Sequence, residues 1–172
     1  FIHDHYLKEG EVWAKTDIDA IGIMDDWGMQ DGMIVNPEYF RKYYKSLYRD
    51  YVDIARKYGK YVFMHSDGNI SEILEDLIEV GIDAINSQLF CMDIEELGRK
   101  FKGKITFWGE IDRQQILPHG TREDIINAVK RVYKNLYHNG GVIAHCEFGP
   151  AAKPENIFHV FESWNNIHKS NP

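Results

Sequence analysis

Tyr61–Gly68 reads YVFMHSDG: a short apolar run of β-forming residues that ends in a histidine, an aspartate and a glycine, with a helix-start signal directly behind it. It is the pattern of a strand that delivers polar chemistry at its carboxyl end. A second stretch, Gly141–Pro150, GVIAHCEFGP, repeats the grammar, with glycines, an apolar run and then His145, Cys146 and Glu147. Within MHSD the period-two alternation of a strand puts His65 and Asp67 on one face and Ser66 on the other. Two donors spaced by two suit a pair of ligands offered from one strand.

Working outward, three more short apolar runs precede or separate these two: Asp19–Ile23, Asp83–Asn86 and Ile105–Trp108. Each is too short for a helix, and amphipathic stretches lie between them. Asn36 with Pro37 starts a helix whose stripe is Phe40, Tyr44, Leu47, Tyr51, Ile54 and Tyr58, stopped by Gly59. Asn69 with Glu72 makes a capping-box pattern for a helix through Ile73, Leu74, Leu77 and Ile78, ended by Gly81. Asp93 starts a short helix, Thr121 a longer one through Leu136, and Pro154 a last one carrying Ile157, Val160, Phe161 and Trp164. Strands alternating with helices predict an α/β fold of parallel (β/α) units joined by right-handed crossovers. A complete barrel of this type typically takes about 250 residues and eight strands. Five strands in 172 residues, beginning at Phe1, lead us to expect the carboxyl-terminal part of a TIM barrel, one partial domain over residues 1–172.

The net charge of −7 is carried without any basic stripe, which argues against a nucleic-acid partner. No apolar run approaches the roughly 18 residues of a membrane span, and no secretory pattern stands at the start, so the expected compartment is the cytoplasm. The two cysteines, Cys91 and Cys146, make no disulfide framework.

In a parallel (β/α) architecture the residues just after each strand gather at one mouth. Here they are Asp25, Asp26, Trp27 and Gln30; His65 and Asp67; Asn86, Ser87 and Gln88; Glu110, Asp112 and Arg113; and His145, Cys146 and Glu147. Imidazole, carboxylate and thiolate together suit Zn²⁺, which accepts N, O and S donors and can keep one position open for substrate. Arg113 suits a substrate carboxylate through its planar fork. Set against this, a single strand-end histidine is more often hydrogen-bonded structure, and Asp25 and Asp26 could satisfy loop amides. Cys91 reads as a small buried hydrophobe and the tyrosines between Asn36 and Tyr58 as a core stripe with wet hydroxyl tips. His3, His5, His119, His138, His159 and His168 read as surface or terminal residues.

The succession DDWGMQDGMIVNPEYF, HSDGNI, GIDAINSQ, ITFWGEIDRQQILPHGT and GGVIAHCEFGPAAKPENI resembles the uroporphyrinogen decarboxylase superfamily in order and spacing, over nearly the whole chain. The resemblance implies a TIM barrel of which this is the later part. It also implies one of two chemistries: cofactor-free removal of acetate carboxyls from a tetrapyrrole, or corrinoid-linked methyl transfer at a zinc held by a His-x-Cys pair and a later Cys. His65 falls on the histidine of that pair and Cys146 on the last cysteine, where a decarboxylase carries histidine. Asp67 stands where the middle cysteine would be and makes the site harder. The resulting expectation is a zinc site of His65, Asp67 and Cys146 with Glu110 as a further donor. Asp26, Gln88, Asp112 and Arg113 are expected to line the substrate pocket, and a corrinoid would be carried by a partner protein. The alternatives are a carboxy-lyase acting on a porphyrinogen or similar polycarboxylate, and an inactive barrel portion. Two open sheet edges would favour a homo-oligomer.

Overall fold

The computed structural model describes residues 1–170. The chain is an α/β protein in which five short strands alternate with helices, and it divides into two compact units at Asn86/Ser87.

The first unit opens with α1 (Ile2–Ala14), followed by β1 (Ala20–Met24), α2 (Pro37–Tyr43), α3 (Lys45–Lys57), β2 (Tyr61–Ser66), α4 (Leu74–Val80) and β3 (Ala84–Ser87). Its strands lie in the order β1-β2-β3. β1 and β2 run parallel, with Ala20 opposite Tyr61 and Met24 opposite His65. The run Val62, Met64, Ser66 is buried while Phe63 and His65 are half-exposed, the alternation anticipated for MHSD. Asp83 anchors the start of β3, its Oδ2 accepting from the Val62 amide at 2.7 Å and its Oδ1 from Arg56 at 2.8 Å.

Three expectations change here. The helix starting at Asn36 is two helices, broken at Tyr44 (φ −116°, ψ −33°); its cap is as read, with Asn36 Oδ1 accepting from Glu38 N at 2.8 Å. The buried face of α3 is Tyr48, Val52 and Ala55, one step round from the stripe read in the sequence, and Tyr44 is exposed. Asn69 does not cap α4: its side chain accepts from Ser71 N and Oγ, the helix begins at Leu74, and Gly81 closes it in the left-handed region at φ 100°. The helix α1 carries no apolar stripe, and Ala14 is its one buried residue. It is held against α3 by polar contacts, with Glu11 taking Lys57 and Tyr58 and His3 taking Asp50 and Tyr51. Buried Asp76 on α4 is paired with both Arg41 and Lys45.

The second unit holds a 3-10 turn (Leu89–Cys91), α5 (Ile94–Phe101), β4 (Thr106–Gly109), α6 (Ile116–His119), α7 (Arg122–Leu136), β5 (Val142–Ala144) and α8 (Pro154–Ser170). β4 and β5 pair in parallel, Phe107 opposite Val142. Asp93 caps α5, and Thr121 with Asp124 forms a complete capping box on α7. Asn156, within PENI, is buried and donates to the Leu117 and Gly120 carbonyls at 3.0 Å, tying α8 to the end of α6. Cys91 is half-buried rather than fully buried.

The loops behind β1 and β2 are pressed together at two glycines. A Cβ on Gly28 would stand 2.6 Å from Asn69 N, and one on Gly68, already at φ +75°, 2.4 Å from the Gly28 carbonyl carbon. No side chain can retreat to make room, because the opposing atoms are backbone. Gly68→Ala is expected to destabilise the protein by about 2–4 kcal/mol through overpacking and positive-φ strain, read as a lower urea midpoint at unchanged m-value.

Candidate metal and substrate site

The Gly28–Gly68 contact zips the two loops into one surface. Asp25 N donates to the His65 carbonyl (3.1 Å) and Gly28 N to the Asp67 carbonyl (3.2 Å). Trp27 N donates to Ser66 Oγ at 3.0 Å and Asp67 N to Asp26 Oδ1 at 2.9 Å. Tyr48 secures this from the helix side: its hydroxyl accepts from Trp27 Nε1 and donates to Asp25 Oδ2, each at 2.7 Å. Burial, then the Asp25 carboxylate, push the Tyr48 phenol far above its ordinary range, so it stays a protonated donor. Its hydroxyl tip is therefore in the network rather than wet.

On this surface His65, Asp67 and Asp26 each present a ligating atom within 4.8 Å of the others. His65 Nε2 lies 3.6 Å from Asp26 Oδ1 and 3.8 Å from Asp67 Oδ1. Both gaps exceed a hydrogen bond, yet they approach the separation of about 3–3.5 Å between two ligands of one cation whose bonds are about 2.0–2.2 Å. On the far side of the ring, Nδ1 hydrogen-bonds Asn86 Oδ1. Asp26, read from the sequence as a pocket residue, thus stands with the ligand pair. The register Met24↔His65 brings it there, and nothing in the local sequence states that register.

The other anticipated residues are in the second unit. Glu110 is buried (3 % exposed) and Cys146 is buried beside it; burial first, then the Glu110 charge, raise the Cys146 thiol from 9.0 to about 11. Arg113 is engaged by Glu147 and lies 3.7 Å from Glu110, so its fork already meets two carboxylates of its own chain. Asp112 Oδ1 accepts from the Gln114 and Gln115 amides at 2.8 Å, a turn-capping role. Gln88 is half-buried at the head of the 3-10 turn. The ring of His145 packs near Trp108, centroids 5.4 Å apart. Of the histidines read as peripheral, His3 pairs with Asp50 and His159 lies 3.5 Å from Glu162, while the His168 side chain falls outside the described residues.

The sequence model of the uroporphyrinogen decarboxylase (URO-D) family matches residues 5–167. The chain belongs to this family. Among solved structures it resembles a methyltransferase from Methanosarcina mazei, with a TM-score of 0.73 at 18% identity. That match covers 96% of this chain and 48% of the other, so the family member described here spans about half the length of that structure and shares its fold. A comparison with curated protein sequences finds no match. Among the described residues no helix is long and apolar enough to cross a membrane.

Two measurements probe the site. Tyr48→Phe leaves the buried Trp27 Nε1 without its acceptor and is expected to cost about 1–3 kcal/mol, measured by chemical denaturation. In metal-free protein, alkylation of Cys146 should climb with pH towards a midpoint of about 11 instead of 9.0, because the reactive thiolate is the form that burial and Glu110 disfavour.

Proposed function

We propose that this family member is a metal-dependent, methyltransferase-like enzyme. The observation that carries the reading is the convergence of His65 Nε2, Asp26 and Asp67 at ligand-to-ligand spacing. Likeness of fold to a protein named a methyltransferase supports the direction of the chemistry. His65 and Asp67, with Asp26 joining them, would hold Zn²⁺, and Cys146 and Glu110 are the donors proposed from the second unit. When bound, the ion supplies Lewis acidity, harder here than with two thiolates because oxygen replaces sulfur at position 67.

The chain's own residues perform the remaining work. Asp26 accepts the Asp67 amide and so fixes the Asp67 backbone beside the ring. The Trp27–Tyr48–Asp25 network keeps that loop from swinging away. Gln88, Asp112 and Arg113 are proposed to line the substrate pocket, with a corrinoid on a partner protein as methyl carrier. Self-association through open sheet edges is part of the same proposal.

Metal analysis of the whole protein is expected to give one zinc per chain. His65→Ala and Asp67→Ala should abolish binding and Cys146→Ala should weaken it. Transfer of the methyl group from methylcobalamin to an added thiolate, which leaves cob(I)alamin and is followed by absorbance, should stop on chelation. A metal-free preparation that still turns over, or decarboxylates a porphyrinogen in chelator, would sink the reading in favour of a cofactor-free carboxy-lyase.

A further inference from the structure

Asn86 is the last residue of the first unit and sits within β3, a strand whose four residues are all buried. A carboxamide 6 % exposed is costly to desolvate unless its groups are paired. Only one of its ends is satisfied among the described residues: Oδ1 meets His65 Nδ1, whereas Nδ2 is buried with no hydrogen-bond partner among them. An asparagine placed to hold the fold together would be expected to use both ends. Its single bond is to the one imidazole in the ligand group.

The two faces of the His65 ring are unequal. On the Nδ1 side an acceptor is in hydrogen-bond contact. On the Nε2 side the carboxylate oxygens of Asp26 and Asp67 stand at 3.6 and 3.8 Å, beyond hydrogen-bond reach. A neutral imidazole carries one proton, and the nitrogen with a bonded acceptor retains it.

We propose that Asn86 is a positioning residue that holds neutral His65 as its Nδ1–H tautomer, leaving the Nε2 lone pair facing Asp26 and Asp67 for a divalent cation. The aspartates would supply further ligands to that cation, and with Asn86 in place the ring proton need not move from Nε2 to Nδ1 before a cation binds. The affinity arm of the test rests on the metal-site reading; the tautomer arm does not.

The test uses the full chain with ¹⁵N-labelled histidine, metal-free and at mildly alkaline pH. Long-range ¹H–¹⁵N correlation assigns the ring nitrogens, with His65→Gln identifying the signal among eight histidines. The wild type should show the Nδ1–H pattern. Asn86→Leu should move the ring towards Nε2–H and weaken Zn²⁺ and Co²⁺ binding, titrated calorimetrically, by about 10–100-fold, the usual range for loss of such a partner. Asn86→Asp keeps an acceptor in place and should retain both the tautomer and most of the affinity. An Nε2–H pattern in the wild type overturns the proposal, as does Asn86→Asp losing as much affinity as Asn86→Leu. The wild-type spectrum decides the matter even if Asn86→Leu does not fold. Failure of any cation to bind while the Nδ1–H pattern holds would count against the metal reading and leave the role of Asn86 standing.

Discussion

Backbone meeting backbone at Gly28 and Gly68 is the constraint on which the first unit's chemistry depends. With no Cβ on either side, the segment behind β1 can lie flat on the segment behind β2, and the amides of Asp25, Trp27, Gly28 and Asp67 then find acceptors across the seam. Strand pairing alone ends at Met24 and His65; the glycines extend it past the strand ends into the loops. Asp26 reaches His65 because of that extension, since an ordinary βα loop would diverge as soon as the ladder stopped.

The strands were legible because each is a short apolar run between polar punctuation, and all five fall within a residue or two of the sequence reading. Caps were legible where a side chain serves the helix directly beside it, as at Asn36, Asp93 and Thr121. Asn69 misled because its oxygen is used by Ser71 in a local turn before any helix begins. The kink at Tyr44 shifts the helical phase, so a stripe carried through it unbroken names Leu47, Tyr51 and Ile54 where the buried side chains are Tyr48, Val52 and Ala55. That shift concealed Tyr48, the hub between Trp27 and Asp25. The helix α1 escaped because its attachment is ionic and hydrogen-bonded, which leaves no hydrophobic period to read.

Of the candidate site, the alternation in MHSD gave His65 and Asp67 on one face, because side-chain direction along a strand is a local property. Asp26 and Asn86 belong with His65 through cross-strand proximity, which depends on register and cannot be counted along the chain. Arg113 illustrates the opposite difficulty. Its type fits a carboxylate ligand, but the two glutamates that meet it come from positions 110 and 147, and only the folded second unit shows that they take it up.

The Asp26, His65 and Asp67 group contains no sulfur. A thiolate at position 67 could be converted stepwise to sulfenic and sulfinic acids, each change altering its charge and its appetite for metal. A carboxylate has no such ladder, so position 67 keeps its charge through peroxide exposure, and the side chains most readily oxidised by peroxide in this protein are its cysteines and methionines.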